Sequence, residues 1–106
     1  MSIAVTDDDH FKQVFAEKKA QPVILFFTAS WCGPCQQIKP FLEETAGKLA
    51  GKLTVIKIDV DECEEACTAY EVSSMPTFIL IVDSAEKERF SGANQAKLQE
   101  LFDKAL

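Results

Sequence analysis

A chain of 106 residues with 47% hydrophobic content has room for one domain, residues 1–106, and enough apolar side chain to fill a core without a disulfide scaffold. Its 17 acidic and 11 basic residues leave a net charge of −6, which argues against nucleic acid and anionic lipid as partners. The opening MSIAVTDDDH has no basic segment ahead of an apolar run, and no stretch reaches bilayer length, so neither export nor membrane insertion is expected and the expected location is cytoplasmic.

SIAV at 2–5 predicts a first strand, and after the acidic TDDD the residues Phe11, Val14 and Phe15 fall at helical spacing. PVILFFT at 22–28 is a nearly continuous apolar run, the pattern of a strand covered on both faces. The helix that follows carries Ile38, Phe41, Leu42, Ala46 and Leu49 on one side, LTVIKID at 53–59 repeats the buried-strand pattern, and ECEEACTAY reads as a short helix. TFILIVD at 77–83 and the weaker EKERFS at 86–91 lie close enough to form an antiparallel hairpin. NQAKLQELFDKAL closes the chain as a helix with Asn94 as N-cap and Leu98, Leu101, Phe102 and Ala105 on its buried face. The order βαβαβαββα predicts an α/β fold of three layers around a mixed five-stranded sheet.

The chemistry concentrates in TASWCGPCQQIKP, residues 28–40. If strand 22–28 runs straight into a helix beginning near Cys32, that thiol meets unpaired amide N–H groups and the positive end of the helix dipole, which stabilise a thiolate. Cys35 then lies one turn further in, within reach of a mixed disulfide formed on Cys32. Pro34 suits a first helical turn, where no amide bond is lost, and Gly33 leaves the approach to the sulfur open. A zinc site built from Cys32, Cys35, Cys63 and Cys67 is the competing reading. Against it, an amphipathic helix continues directly from the first pair, and the chain's apolar content does not need a metal for folding; no metal is expected. The run DVDECEE invites a calcium loop through Asp59, Asp61 and Glu65, but Glu64 and Tyr70 stand where such a loop needs glycine and glutamate, and the run reads as a solvated acidic loop and helix start. His10 stands alone and reads as a polar residue of the first helix.

WCGPC at 31–35, SMPTF at 74–78 and FSGAN at 90–94, at these spacings and in this element order, resemble the thioredoxin family over essentially the whole chain, its animal-type branch most. The resemblance implies a thiol–disulfide oxidoreductase that reduces protein disulfides, with Cys32 as nucleophile and Cys35 as resolving thiol. Trp31, Gly33 and Pro34 support the pair, and Trp31, Met75, a cis Pro76 and Gly92 contact substrate. It implies further that no cofactor is bound, that electrons come from NADPH through a thioredoxin reductase, and that the protein is a monomer. Two alternatives remain: a more oxidising, disulfide isomerase-like enzyme, and a redox-sensing binding module that holds partners while reduced.

The sequence departs from the family pattern at Phe26, where a buried aspartate usually serves proton movement at the second cysteine. The lysine that commonly neighbours that aspartate is retained as Lys57, counted with the active-site support and expected to turn to solvent or another acceptor. Thr28 stands where many members have an aromatic residue. Cys63 and Cys67, at i and i+4 on the short helix, read as two reduced thiols, with a regulatory pair as the alternative. Their bridging is awkward, because helical Cβ atoms at this spacing stand ~5–6 Å apart against ~3.5–4.5 Å across a disulfide.

Overall fold

The computed structural model describes residues 1–106. In chain order the elements are β1 Ser2–Val5, α1 Asp8–Lys18, β2 Val23–Thr28, α2 Gly33–Lys48, β3 Thr54–Asp59, α3 Glu64–Ala69, β4 Thr77–Val82, β5 Ala85–Ser91 and α4 Gln95–Ala105. The five strands form one sheet in the order β1-β3-β2-β4-β5. β1, β3 and β2 are parallel, while β4 and β5 add antiparallel. This is the mixed three-layer α/β arrangement expected from the sequence. The C-terminal ends of the parallel strands share one edge, and α1, α2 and α3 all begin there.

Why β2 is apolar at nearly every position follows from its two faces. Ile24 and Phe26 point into a core completed by Ile38 and Leu42 of α2 and by Leu98 and Phe102 of α4. Val23, Leu25 and Phe27 point into a second core with Phe11 and Val14 of α1 and Ala66 of α3. The alternation of side chains along a strand therefore leaves no position facing water. Across β2, β4 and β5 the register sets Phe26 opposite Phe78 and Phe78 opposite Phe90. The rings stack at centroid distances of 5.0 and 4.9 Å, a cross-strand aromatic ladder of the kind that adds stability beyond area burial.

β2 and β3 each begin one residue later than the apolar runs suggest, and two other boundaries differ from the sequence expectation in ways that bear on structure. Asp83 leaves the strand for a two-residue turn with Ser84, both at positive φ of 53° and 66°, so β5 begins at Ala85. Such a turn matches the twist of the flanking strands, and aspartate tolerates the left-handed region better than a branched residue. Cys63 lies outside α3 as its N-cap, with φ −127° and ψ 64°, so it does not share a helix face with Cys67.

The helix starts explain themselves locally in three of four cases. Asp7 accepts from His10 N at 2.8 Å at the start of α1, and His10 Nδ1 accepts from Thr6 N at 3.0 Å. Asn94 accepts from Lys97 N at 2.9 Å at the start of α4, as expected. Cys32 caps α2. The exception is α3, whose cap comes from α1: Asp8 accepts from Glu65 N at 3.1 Å and from Ala66 N at 3.0 Å, across 57 and 58 residues. One carboxylate thus satisfies two first-turn amides that six residues of helix cannot satisfy themselves.

Asp8→Ala is expected to lower stability by about 1–2 kcal/mol, the cost of a lost cap and an unpaired half-buried amide. In urea unfolding followed by circular dichroism, the midpoint should fall with the slope unchanged. An unchanged midpoint would show that water caps α3 as well as Asp8 does.

Candidate active site

The redox pair forms where β2 ends and α2 begins. Cys32 N donates to Ala29 O at 3.1 Å and Gln36 Nε2 donates to the same carbonyl at 3.2 Å, which ties the loop to the first turn. Cys32 has extended backbone as the N-cap, and its Sγ accepts from Cys35 N at 3.3 Å. Gly33 and Pro34 occupy the first turn, no acidic residue stands in that turn, and a side chain at Gly33 would meet nothing within 4 Å. Cys32 and Cys35 are joined as a disulfide with Cα atoms 5.3 Å apart. Both cysteines are buried, Cys35 fully and Cys32 with 5% of its surface accessible, so the exposure expected of the first cysteine at an open helix terminus is small and only its sense is retained.

Around the pair, Trp31 is 65% exposed and is held by its indole N–H, which donates to Asp61 Oδ2 at 2.9 Å. Asp61 N in turn donates to Asp59 Oδ1 at 2.8 Å. Sequence reasoning placed Asp61 in a solvated acidic loop and missed this role. The available signal was the exposed indole itself, whose N–H calls for an acceptor beside the redox loop. No three His, Cys, Asp or Glu side chains converge in a geometry that would hold a metal ion.

Pro76 follows Met75 through a cis peptide bond, as the resemblance implied. Gly92 N donates to Pro76 O at 2.9 Å, joining two of the three motifs. The requirement at Gly92 is backbone rather than space: its φ is +104°, and an added Cβ would meet nothing within 4 Å. Met75 has no backbone hydrogen bond within the chain, which leaves its N–H and C=O unpaired.

Phe26 is fully buried in the same apolar core as Cys32 and Cys35, so the enclosed Cys35 sulfur belongs to a hydrocarbon-rich cluster. Lys57 sits opposite Phe26 in the sheet, yet its ammonium lies 3.2 Å from Glu43 Oε1. That buried oxygen has no aligned hydrogen bond, so the pair is held by charge and proximity, while Glu43 Oε2 accepts from Ser2 Oγ at 3.0 Å. Glu43 follows Cys35 by two turns of α2, about 12 Å along the axis. Lys57 therefore finds another acceptor, as the sequence allowed, and its charge is directed down the helix rather than toward the cysteines.

Cys63 and Cys67 are free thiols, the first buried and the second half-buried. Burial, reinforced by the Asp8 carboxylate, pushes the Cys63 thiol up to about 11. The same two causes raise Cys67. Both are chemically quiet relative to a thiol at an open helix terminus.

Three comparisons bear on this site. The thioredoxin family profile matches residues 2–104. A thioredoxin of Mycolicibacterium smegmatis is 44% identical over 106 residues, covering 96% of this chain and 93% of that one. Thioredoxin-T of Drosophila melanogaster is 41% identical over 98 residues, covering 92% of this chain and 61% of that one. Among solved structures, Fasciola hepatica thioredoxin superposes with a TM-score of 0.89 at 37% identity, covering 97% and 98% of the two chains. The germline-specific thioredoxin Deadhead of Drosophila melanogaster superposes at 0.92 with 32% identity, covering 98% and 99%.

In the reduced protein, iodoacetamide should leave Cys63 unlabelled near neutral pH, with labelling rising only as the pH approaches about 11 and the thiol ionises. Peptide mass mapping after short pulses reads this directly. Labelling of Cys63 near neutrality at the rate of a free cysteine would contradict the assigned environment.

Proposed function

The chain belongs to the thioredoxin family, and from that premise we propose how its residues divide the work of a protein-disulfide oxidoreductase. The family activity is dithiol–disulfide exchange, and the Cys32–Cys35 pair is the redox centre. The observation that carries the assignment of roles is the position of Cys32 as N-cap of α2, with no carboxylate in that turn and Cys35 enclosed one turn on. The helix terminus favours the Cys32 thiolate, which attacks one sulfur of a substrate disulfide. A Cys32–substrate disulfide forms, the substrate S–S bond breaks, and one substrate thiolate leaves. Cys35, deprotonated, then attacks Cys32 Sγ, closing the Cys32–Cys35 bridge and releasing the second substrate thiolate. Two electrons pass from the protein to the substrate.

An extended substrate segment pairs with the open backbone of Met75 beside Pro76, while Trp31 and Gly92 border the approach. The bridge is re-reduced by a thioredoxin reductase using NADPH. A relative from Mycobacterium leprae that is named a bifunctional thioredoxin reductase/thioredoxin, 40% identical over 105 residues, supports that partner, because it joins the two activities in one polypeptide. Residues 1–106 act as one domain and as a monomer, in keeping with two cores that share one sheet and with Met1, Trp31 and Leu106 as the exposed large apolar residues. No helix is long and apolar enough to cross a membrane, and a reducing cytoplasmic setting suits the two free thiols Cys63 and Cys67.

Cys35→Ser should trap substrates as mixed disulfides on Cys32, while Cys32→Ser should trap none. Non-reducing mass analysis of each variant with a protein disulfide checks this, and equal trapping would undo the roles. Phe26 is expected to make resolution the slow step, since Cys35 sits in hydrocarbon with no carboxylate to take its proton. Phe26→Asp should speed release of the second product in single-turnover kinetics. The same change should destabilise the protein, by about 3–5 kcal/mol from the lost ring, plus the cost of burying a carboxylate. An unchanged release rate would mean that water or another group already moves the proton.

A further inference from the structure

Beside the substrate loop lies a cleft of about 390 Å³ lined by Val60, Glu64, Cys67, Thr68, Val72, Ser73 and Met75. Because Met75 is also the residue before Pro76, the cleft continues the line along which a substrate segment would run. Val60, Val72 and Met75 give it apolar lining, and Glu64 adds a carboxylate to the same lining.

The charge around it has one sign. The segments that close this end of the sheet, residues 28–37, 59–64, 70–76 and 91–95, contain Asp59, Asp61, Glu62, Glu64 and Glu71, and no lysine, arginine or histidine. The cations nearby on other elements are engaged: Lys12 with Glu65 at 3.1 Å, Arg89 with Glu86 at 2.7 Å, and Lys57 with Glu43 at 3.2 Å. Lys39 lies exposed further along α2, and Lys97 faces the β5 side with Glu88 and Glu100. Glu62 and Glu64 are exposed and belong to no ion pair. A cationic group entering here would meet carboxylates without first displacing a protein cation.

We propose that this cleft selects protein disulfides whose reacting cysteine is flanked by an apolar residue and then by lysine or arginine, the apolar side chain entering between Val60, Val72 and Met75 and the cation lying against Glu64 of the lining, with the charge of Glu62 two residues earlier adding to the attraction. The inference rests on the oxidoreductase reading above and names the substrate class of that site. Its physical basis is complementarity acting mainly on the rate of productive encounter, with apolar burial holding the segment once docked.

The test uses the pre-reduced protein and three peptide disulfides that differ only in their flanks: lysine, glutamate or uncharged. At low ionic strength the lysine-flanked peptide should be reduced about tenfold faster than the glutamate-flanked one, and the ratio should collapse toward unity at about 0.5 M salt. In the double variant Glu62→Gln, Glu64→Gln the ratio should narrow about threefold; a general loss of activity cancels in a ratio. Replacing the apolar flanking residue by serine should slow the lysine-flanked peptide. Equal rates in the wild type, a ratio that survives the double variant, or a cleft filled by a second copy of the chain, seen as a dimer in sedimentation, would each overturn the proposal. Failure to reduce even the uncharged peptide would overturn the oxidoreductase reading and the proposal with it, which separates the two.

Discussion

The uncompensated N-terminus of α2 is the constraint on which the rest of the molecule depends. Several helix starts crowd one edge of the sheet, and each presents unpaired amides and a partial positive charge. At α1 and α3 that charge meets carboxylates, Asp8 and Asp9 in the first turn of one and Glu64 and Glu65 in the first turn of the other. α4 receives a neutral amide cap from Asn94. Only α2 directs its terminus at a sulfur, with glycine and proline where acids would otherwise sit. The comparison with α3 is close, because it too has a cysteine as N-cap. There, Asp8 takes the first-turn amides and adds a negative charge beside Cys63, so similar backbone positions hold one cysteine in the redox bridge and keep the other as a protonated thiol.

Holding that terminus in place is a packing problem before it is a chemical one. α2 is anchored by Ile38, Leu42 and Ala46 against Ile24, Phe26 and Val55 of the sheet, although Pro40 removes an amide donor from its middle and leaves the Gln36 carbonyl without its usual partner. The helix persists because tertiary burial outweighs one missing hydrogen bond. On the opposite side of the pair, Gly92 N is bonded to Pro76 O and Thr77 Oγ1 lies 2.9 Å from Ser91 Oγ. These contacts tie the loop of the cis Pro76 to the end of β5. The cysteines are therefore flanked by two independently braced elements, which limits the motion needed to bring Cys35 onto Cys32.

The parts legible in the sequence were those decided by neighbours along the chain. Continuous apolar runs gave away β2 and β3, helical spacing gave α4 with its Asn94 cap, and the CGPC spacing brought the two sulfurs together. What the sequence could not show was made by pairs far apart in it. The Trp31–Asp61 bond spans 30 residues, and the Asp8 cap on α3 spans 58 at its longest. The Lys57–Glu43 pair requires knowing that α2 crosses over β3. Nothing local in the sequence distinguishes a carboxylate that caps a distant helix from one that faces water. Cys63 was misplaced for a related reason: periodicity assigns a residue to a helix, but the cap is settled by backbone angles one residue before it begins.

Phe26 shows how a core preference reaches into chemistry. A carboxylate at this position must be buried in the hydrocarbon layer under α2, which costs free energy unless a partner neutralises it. The neighbouring ammonium of Lys57 already serves Glu43, and Glu43 in turn accepts from Ser2 at the edge strand. The ring instead joins Phe78 and Phe90 in a stack that crosses three strands. Stability and proton handling thus draw on the same few cubic ångströms, and here the volume is given to stability. In the proposed exchange Cys35 gives up its proton without a buried base, so the speed of its step depends on how readily water reaches a sulfur that the folded structure encloses completely. That dependence makes the same hydrophobic layer that positions α2 also the barrier between Cys35 and its proton acceptor.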